Sequence, residues 1–383
     1  MFKPKGGCVN LPFAMTRLRS GSAELRRHIY YWKCDRPAAF HGVLRQPEAL
    51  RDVEFLSGVR EVLRAGFAEP FDLVPSCGEG THRTYLLRQG RQTLFVRVED
   101  GPEGDGHLAE ESRVLEAVTA SGIPAPHVHF CDVSRQRAPL AVQVITHYEA
   151  PDLNRFCRER GVSATVFAEE IGRWVARWQA MPVKGFGPFQ SQKIGGDAVL
   201  KGFHASYADY FHLHLDRHLA LLQDGGFLSP PETNRIARLI ADHRPLLDVG
   251  TPCLVHKDLA LWNILGTEVG IAAFIDWDDA IGGDATDDLS LLACFHSWDF
   301  LELALRGYES IRPLPVDFCP RFWLHLLRNM IVKAVIRLGA GYFDRPPGGF
   351  LTPQGGPALR QATRTKLLSA CQGLQENRPL SDL

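Results

Sequence analysis

Residues 254–289, LVHKDLALWNILGTEVGIAAFIDWDDAIGGDATDDL, constrain the fold more than any other stretch of this 383-residue chain. His256, Asp258 and Asn263 stand in the spacing H-x-D-x-x-x-x-N, and a further acid, Asp276, follows in IDWDDA. Between them, Ile264 and Leu265, then Ile271 to Ile275, are short apolar runs separated by Gly266, Thr267, Glu268, Val269 and Gly270. Runs of that length around a turn-forming segment predict a β-hairpin. Its two ends would bring Asn263 and Asp276 to one mouth. Taken singly, Asp258 and Asp276 read as surface acids beside turns. Three spaced positions, a hairpin and a second acid together argue against that reading.

The residue types suit phosphoryl transfer. Moving a γ-phosphoryl group requires an acceptor hydroxyl held in line and magnesium to gather charge on the phosphate oxygens. Asp258 is placed to orient the hydroxyl and take its proton. Asn263 offers a neutral oxygen to one Mg²⁺, and Asp276 a charged oxygen to the metal bridging the phosphates. Magnesium keeps water and phosphate among its ligands, so one amide and one carboxylate suffice from the protein.

Composition narrows the setting. Hydrophobic residues are 45% and charged residues 23%, the profile of a globular protein with room for two lobes. A net charge of −1 leaves no electrostatic footprint for nucleic acid or an anionic membrane. No apolar run approaches transmembrane length. Nine cysteines, an odd number without a C-x-x-C pair, argue against a disulfide framework or structural zinc and make the reducing cytoplasm the default compartment. A monomer or a homodimer is compatible with all of this.

Residues 1–50 form an extension to which no function attaches, with a helix expected near 23–32 and irregular chain around Pro37 and Pro47. Residues 51–148 are expected to form a first lobe. Its parts are a helix over 53–67 with Phe55, Val59, Val62 and Leu63 on one side, a strand over 71–75, and antiparallel strands at 85–87 and 93–98. Gly78, Gly80 and Thr81 lie just before that pair. A G-x-G fragment can lay backbone N–H groups against phosphates, but alone it reads more simply as a β-turn. Arg97 shares a strand face with Phe95, opposite Leu94, Val96 and Val98. It grips nucleotide phosphates or, on an edge strand, is a solvent-facing charge. A helix over 107–121 presents Leu108, Ser112, Leu115 and Val118 on one face. Glu111, in preference to Glu110, is the expected partner of Arg97. The strand 138–147 closes the lobe, and the backbone from Ile145 through His147 to Tyr148 is where a nucleotide base would bond.

Residues 149–383 turn helical, and the stripe Phe167, Ile171, Trp174, Val175, Trp178 reads as core. GFGPF at 185–189 is expected as a loop, with helices over 206–223, 231–243, 321–338 and 357–375. His212, His214 and His218 are expected to be structural.

HKDLALWN, IDWDDA and GDATDDLS together resemble the aminoglycoside phosphotransferase family within the protein-kinase-like superfamily, over roughly residues 70–300. Segment order and GFGPF are similar to those of hygromycin B phosphotransferase. The resemblance implies an α+β, two-lobed protein-kinase-like fold, with a small antiparallel-sheet N-terminal lobe and a larger, mostly helical C-terminal lobe. It also implies ATP or GTP as donor, Mg²⁺, and a small-molecule hydroxyl as acceptor. Carried over by position, Asp258 matches the catalytic base, His256 the residue that buttresses its loop, and Asn263 and Asp276 the magnesium ligands. Asp284 and Asp288 match acids that brace the catalytic loop more often than they touch substrate. Lys257 departs from the pattern, standing where many members carry glycine, and Arg97 replaces the usual lysine.

Asp276 and Asp288 are only twelve positions apart and no A-P-E follows, which leaves no room for a peptide-docking activation segment. From Phe274 to Leu301 there is no Lys or Arg, but there are Asp276, Asp278, Asp279, Asp284, Asp287, Asp288 and Asp299. Such a wall would focus a cationic acceptor, an aminoglycoside or amino alcohol, although metal ligation and helix capping also account for acids there and a neutral sugar fits as well. Two alternatives stand beside an aminoglycoside-like acceptor: a metabolic kinase of a sugar, fructosamine, choline-like or homoserine-like acceptor, and a catalytically silent nucleotide-binding pseudokinase.

Overall fold

The structure is a computed structural model that describes residues 52–76, 83–99, 107–190, 199–348 and 351–383. Residues 1–51, and Gly78, Gly80 and Thr81, lie outside these residues. No helix among the described residues is long and apolar enough to cross a membrane.

The first lobe is built as α1 (Asp52–Leu63), β1 (Asp72–Pro75), β2 (Arg83–Gln89), β3 (Gln92–Glu99), α2 (His107–Ala120), β4 (Val128–Asp132) and β5 (Ala141–Thr146). Its antiparallel sheet runs β1-β2-β3-β5-β4, which makes β3 the central strand. Strand alternation then divides the labour. Leu94, Val96 and Val98 pack into a core with Phe55, Val59, Val62 and Leu63 of α1. The opposite face turns Arg97 towards α2, where it is only 6% exposed. The edge-strand reading of Arg97 is therefore excluded.

The second lobe opens with α3 (Leu153–Arg160) and α4 (Ala168–Trp178), followed by β6 (Val183–Lys184), β7 (Phe186–Phe189) and β8 (Leu200–His204). Next come α5 (Tyr207–Phe211), α6 (Leu215–Asp224), α7 (Pro230–Asp242), β9 (Cys253–Val255), the hairpin β10 (Ile264–Thr267) and β11 (Gly270–Phe274), and β12 (Ile281–Gly283). The chain closes with α8 (Thr286–Leu292), α9 (Trp298–Glu309), α10 (Phe318–Gly339) and α11 (Gly356–Glu376). Strands β6-β8-β7-β12-β9 form a small sheet that sets the entry and exit of the catalytic-loop segment.

Two local expectations change. GFGPF is a strand, β7, because β8 and β12 flank it and bury Phe186 and Phe189. Glycine and proline mark a turn only when no partner strand claims the backbone. The helix expected over 206–223 is two helices, broken at His214 with φ of +57°. Arg328 of α10 causes the break to be stable. Its Nε donates to the Phe211 carbonyl at 2.8 Å and its Nη2 to that of Leu213 at 3.0 Å, satisfying carbonyls left over at the end of α5. His218 is buried beside the same guanidinium (3.1 Å), in keeping with a structural role.

Helices α4 and α9 approach closely through glycine. A Cβ on Gly172 would lie 1.9 Å from the Ala304 carbonyl oxygen, and one on Gly307 would lie 2.0 Å from that of Glu169. This crossing seats Trp178, fully buried, at the back of the catalytic-loop segment.

Candidate active site

Strand β9 delivers the chain to His256, which is completely buried. Its Nε2 lies 3.1 Å from the Ile275 carbonyl oxygen, and its Nδ1 receives the Asp258 backbone N–H at 3.3 Å. One nitrogen donates and the other accepts, which defines a neutral tautomer spanning the Asp258 and Asp276 segments. The ring packs 4.4 Å from that of Trp277 and 6.2 Å from that of Trp178. Burial pulls His256 down to about 4 from an ordinary 6.5.

That shift carries a stability consequence. Between pH 6.5 and 4 the unfolded chain binds a proton that the folded chain refuses, so the His256 contribution is complete above 6.5 and is lost as pH falls towards 4. Urea midpoints measured at pH 7 and pH 5 are expected to drop for the wild type and to drop less for His256→Gln. Equal drops would contradict this role.

The hairpin forms as expected, with Ile264 opposite Phe274, and the Ile275 N–H donates to the Asn263 carbonyl at 2.9 Å. Asn263 Nδ2 donates to the Asp258 carbonyl oxygen at 2.9 Å and to Asp258 Oδ2 at 2.8 Å. The other carboxylate oxygen, Oδ1, accepts from Lys333 Nζ at 2.6 Å. Burial opposes the charge on Lys333, but Asp258 outweighs it and holds the ammonium above its usual value. Nothing in the motif spacing marks Lys333. Its one signal is being a lone cation in the apolar run MIVKAVI of α10.

Asp276 occupies the left-handed region, φ 66° and ψ 56°. Its Oδ1 lies 3.1 Å from Arg97 Nη2, and Asp278 Oδ2 lies 3.9 Å from the same nitrogen. Arg97 Nη1 pairs with Glu111, which is buried on α2, while Glu110 pairs with His107 instead. Arg97 thus ties the central strand, α2 and the Asp276 segment together. Although part of the Asp276 side chain reaches solvent, the protein packed around it and the neighbouring Asp278 hold its carboxyl above the ordinary range, against the pull of Arg97.

The donor set fits a magnesium ion. The Asn263 amide nitrogen is spent on Asp258, which leaves Oδ1 as the atom to offer a cation. The Asp276 side chain is 41% exposed and sits among Asp258, Asp278 and Glu111, a crowding of carboxylates that a divalent ion relieves. Among the described residues, no group of three or more His, Cys, Asp or Glu forms a self-contained metal cage.

Behind the loop lies a buried network. Asp288 accepts the backbone N–H groups of His256 and Lys257, each at 3.0 Å, and Trp178 Nε1 at 2.9 Å. Burial pushes its carboxyl up to about 6, yet three N–H donors favour the ionised form at neutral pH. Asp284 accepts from Arg321 at 3.0 Å, lies 3.1 Å from His325 Nε2 and accepts the Thr286 N–H at the start of α8. Burial opposes its charge, but His325 and Arg321 prevail and hold it below the ordinary carboxylate range. Both acids are 0–1% exposed, so the structure favours bracing over acceptor contact for them. Lys257 explains its departure from glycine: its φ is +69°, and Nζ bonds both oxygens of Asp287 at 2.9 Å and Asn329 Oδ1 at 2.8 Å.

Asp278 and Asp279 are partly exposed on the turn after Asp276, and Asp278 lines a cleft with Glu110, Glu111 and Phe189. Ile145 is paired to both β3 and β4 with its side chain in the core. His147, just beyond the strand end, is the better placed of the two for exposing backbone to a base.

The sequence matches the phosphotransferase enzyme family over residues 76–314, well over half its length. This chain belongs to that family. Among solved structures, a thermostable mutant of aminoglycoside phosphotransferase APH(4)-Ia in ternary complex with ADP and hygromycin B is 16% identical, with a TM-score of 0.59 over 81% of this chain and 98% of that one. A putative fructosamine-3-kinase from Thermobifida fusca YX-ER1 is 19% identical, with a TM-score of 0.58 over 83% of this chain and 98% of the other. A putative aminoglycoside phosphotransferase from Ralstonia eutropha JMP134 is 18% identical, with a TM-score of 0.56 over 84% and 98%. At such identities the likeness is one of fold, and that fold is the two-lobed kinase-like one. A sequence search of curated proteins found no match. The phosphotransferase thus holds Asp258, Asn263, Asp276, Arg97 and Glu111 in one connected cluster, while His147 sits at the lobe junction.

Proposed function

We propose that this phosphotransferase moves the γ-phosphoryl group of ATP or GTP to a hydroxyl of a small molecule, with Asp258 as base. The observation that carries this reading is the Asp258–Asn263–Asp276–Arg97 cluster, in which two magnesium-type donors flank a carboxylate held by an amide and an ammonium. The acceptor hydroxyl gives its proton to Asp258 as its oxygen bonds to the γ-phosphorus. The bond from that phosphorus to the β–γ bridging oxygen breaks, and the nucleoside diphosphate leaves. Mg²⁺, when bound through Asn263 and Asp276, supplies positive charge to the phosphate oxygens. Residues 51–148 serve the nucleotide, with Arg97 near its phosphates and the 145–148 backbone near its base. Residues 149–383 supply the catalytic loop and the acceptor side.

The aminoglycoside-like acceptor rests on what relatives are named for and on the acidic run. Three of that run's seven acids, Asp284, Asp287 and Asp288, are consumed in internal bonds. A small-molecule alcohol is the reading the geometry supports.

The test is turnover of Mg-nucleotide over pools of aminoglycosides, sugars and amino alcohols, with mass detection of phosphorylated product. Product in any pool supports the reading. Slow nucleotide hydrolysis without product, at a rate that Asp258→Asn leaves unchanged, refutes it. Arg97→Lys is expected to raise the nucleotide KM by about tenfold, because a point charge cannot hold Glu111 and Asp276 together as the guanidinium fork does. Titration with a fluorescent nucleotide analogue reads this directly, and an unchanged affinity would remove Arg97 from the nucleotide site.

A further inference from the structure

The side of the Asp258 carboxylate that faces α10 is basic. Lys333, bonded to Asp258, has its ammonium 5.6 Å from the centre of the Phe295 ring, and that ring packs edge-on against Trp262 of the catalytic-loop segment. Arg337 lies one helical turn beyond Lys333, so both project from one face of α10. Its Nη1 donates to the Thr363 hydroxyl of α11 at 2.7 Å, and three residues further along α11 Lys366 approaches the His296 carbonyl at 3.4 Å. His296 follows Phe295 directly, so the contacts run unbroken from Asp258 to Lys366. The His296 Nε2 is buried and has no hydrogen-bond partner among the described residues.

What sets Arg337 and Lys366 apart is the lack of an acid partner. Among the described residues, Arg97 is matched with Glu111, Lys257 with Asp287 and the partly buried Lys333 with Asp258. Arg328 spends Nε and both Nη groups on carbonyls and a histidine. Arg337 is 7% exposed and Lys366 partly buried, yet among the described residues neither makes an ion pair with a carboxylate. Burial pulls both below their usual values. Unmatched cations are costly in a protein interior, and an arginine fork beside a lysine point charge is the arrangement that binds carboxylate or phosphate.

We propose that Lys366 and Arg337, set beside the Asp258–Lys333 pair, bind an anionic group of the acceptor, so that the substrate is a hydroxy acid or a sugar monophosphate and not a polyamine. This deepens the preceding reading and rests on its placing the acceptor at Asp258. Three of the seven acids that favoured a cationic acceptor, Asp284, Asp287 and Asp288, face inward and do not oppose it, while Asp279 acts on Lys333 and not on Arg337 or Lys366.

The experiment uses the full chain with Lys366→Gln, a substitution at a partly exposed side chain, and Arg337→Gln as the second variant. Mg-ATP turnover is measured with separate pools of hydroxy acids, sugar monophosphates, neutral polyols and aminoglycosides. Product is expected in one anionic pool, the hydroxy acids indicating a carboxylate and the sugar monophosphates a phosphate. Lys366→Gln is expected to raise the acceptor KM at least tenfold while leaving the KM for Mg-ATP unchanged. Product confined to the neutral or aminoglycoside pools, with no effect of Lys366→Gln, overturns the proposal. If no pool yields product, calorimetric titration of glycerate and of inorganic phosphate in the presence of Mg-ADP decides. Binding that weakens tenfold in Lys366→Gln supports the anion site, and absent or equal binding overturns it. Failure to bind Mg-ADP would strike at the nucleotide assignment instead, and the two anion titrations still read the basic cluster.

Discussion

Replacement of Asp258 by asparagine is expected to lower turnover by about 10²–10⁴-fold, the range of a lost general base, while Mg-nucleotide affinity stays within about twofold. The substitution keeps the side chain's shape but removes its charge. Lys333 Nζ and Asn263 Nδ2 both donate to Asp258, so in the variant one of them must face an amide N–H₂. Some local rearrangement follows from that, and a melting curve separates it from loss of chemistry. A fully folded variant with unchanged turnover would mean that Asp258 is not the base. A wild type that binds nucleotide and turns over no acceptor, with Asp258→Asn indistinguishable from it, would favour the silent nucleotide-binding alternative. Loss of nucleotide binding in the variant would move Asp258 from the acceptor side to the metal.

Lys257→Met is expected to destabilise the protein by about 3–5 kcal/mol, because it leaves the Asp287 carboxylate buried without its cation. Asp287 is 0% exposed and, once Lys257 is gone, keeps among the described residues Asn329 and the Tyr207 hydroxyl as donors, with His325 Nδ1 3.9 Å away. The backbone argues the other way. Lys257 has φ of +69°, a conformation costing a non-glycine residue roughly 1–2 kcal/mol. Lys257→Gly relieves that strain and breaks the same ion pair, so it is expected to be destabilising, though less so than Lys257→Met. Adding Asp287→Asn to Lys257→Met should recover part of the loss, since no charge then remains to be paired. Urea midpoints of the three variants measure this. A Lys257→Gly protein more stable than the wild type would show that strain outweighs the ion pair.

Much of the geometry of the candidate site was legible because it is local. His256, Asp258 and Asn263 lie within eight residues, and the hairpin that carries Asn263 towards Asp276 is written in short apolar runs around a glycine-bounded turn. The first lobe was legible for a similar reason: alternation along β3 separates Leu94, Val96 and Val98 from Arg97, and the 3.6-residue period of α2 points Glu111 inward with Leu108 and Leu115. Patterns of period two and 3.6 survive in any single chain because they follow from backbone geometry.

The rest depended on partners far away in the chain. GFGPF became a strand because β8 and β12 claim it, and the break at His214 is held by a guanidinium more than a hundred residues further on. The acidic run looked like a cation-attracting wall, but the sequence shows charge without showing which way it faces. Folding turned Asp284, Asp287 and Asp288 inward, to be neutralised by Arg321, Lys257 and backbone N–H groups. Lys333, Arg337 and Lys366 come from two helices that no spacing rule links to Asp258. The kinase-like chemistry was therefore carried by spacing along the chain, which backbone geometry converts directly into proximity. The charge pattern around Asp258 was decided only in three dimensions, because burial determines which charges are matched internally and which are not.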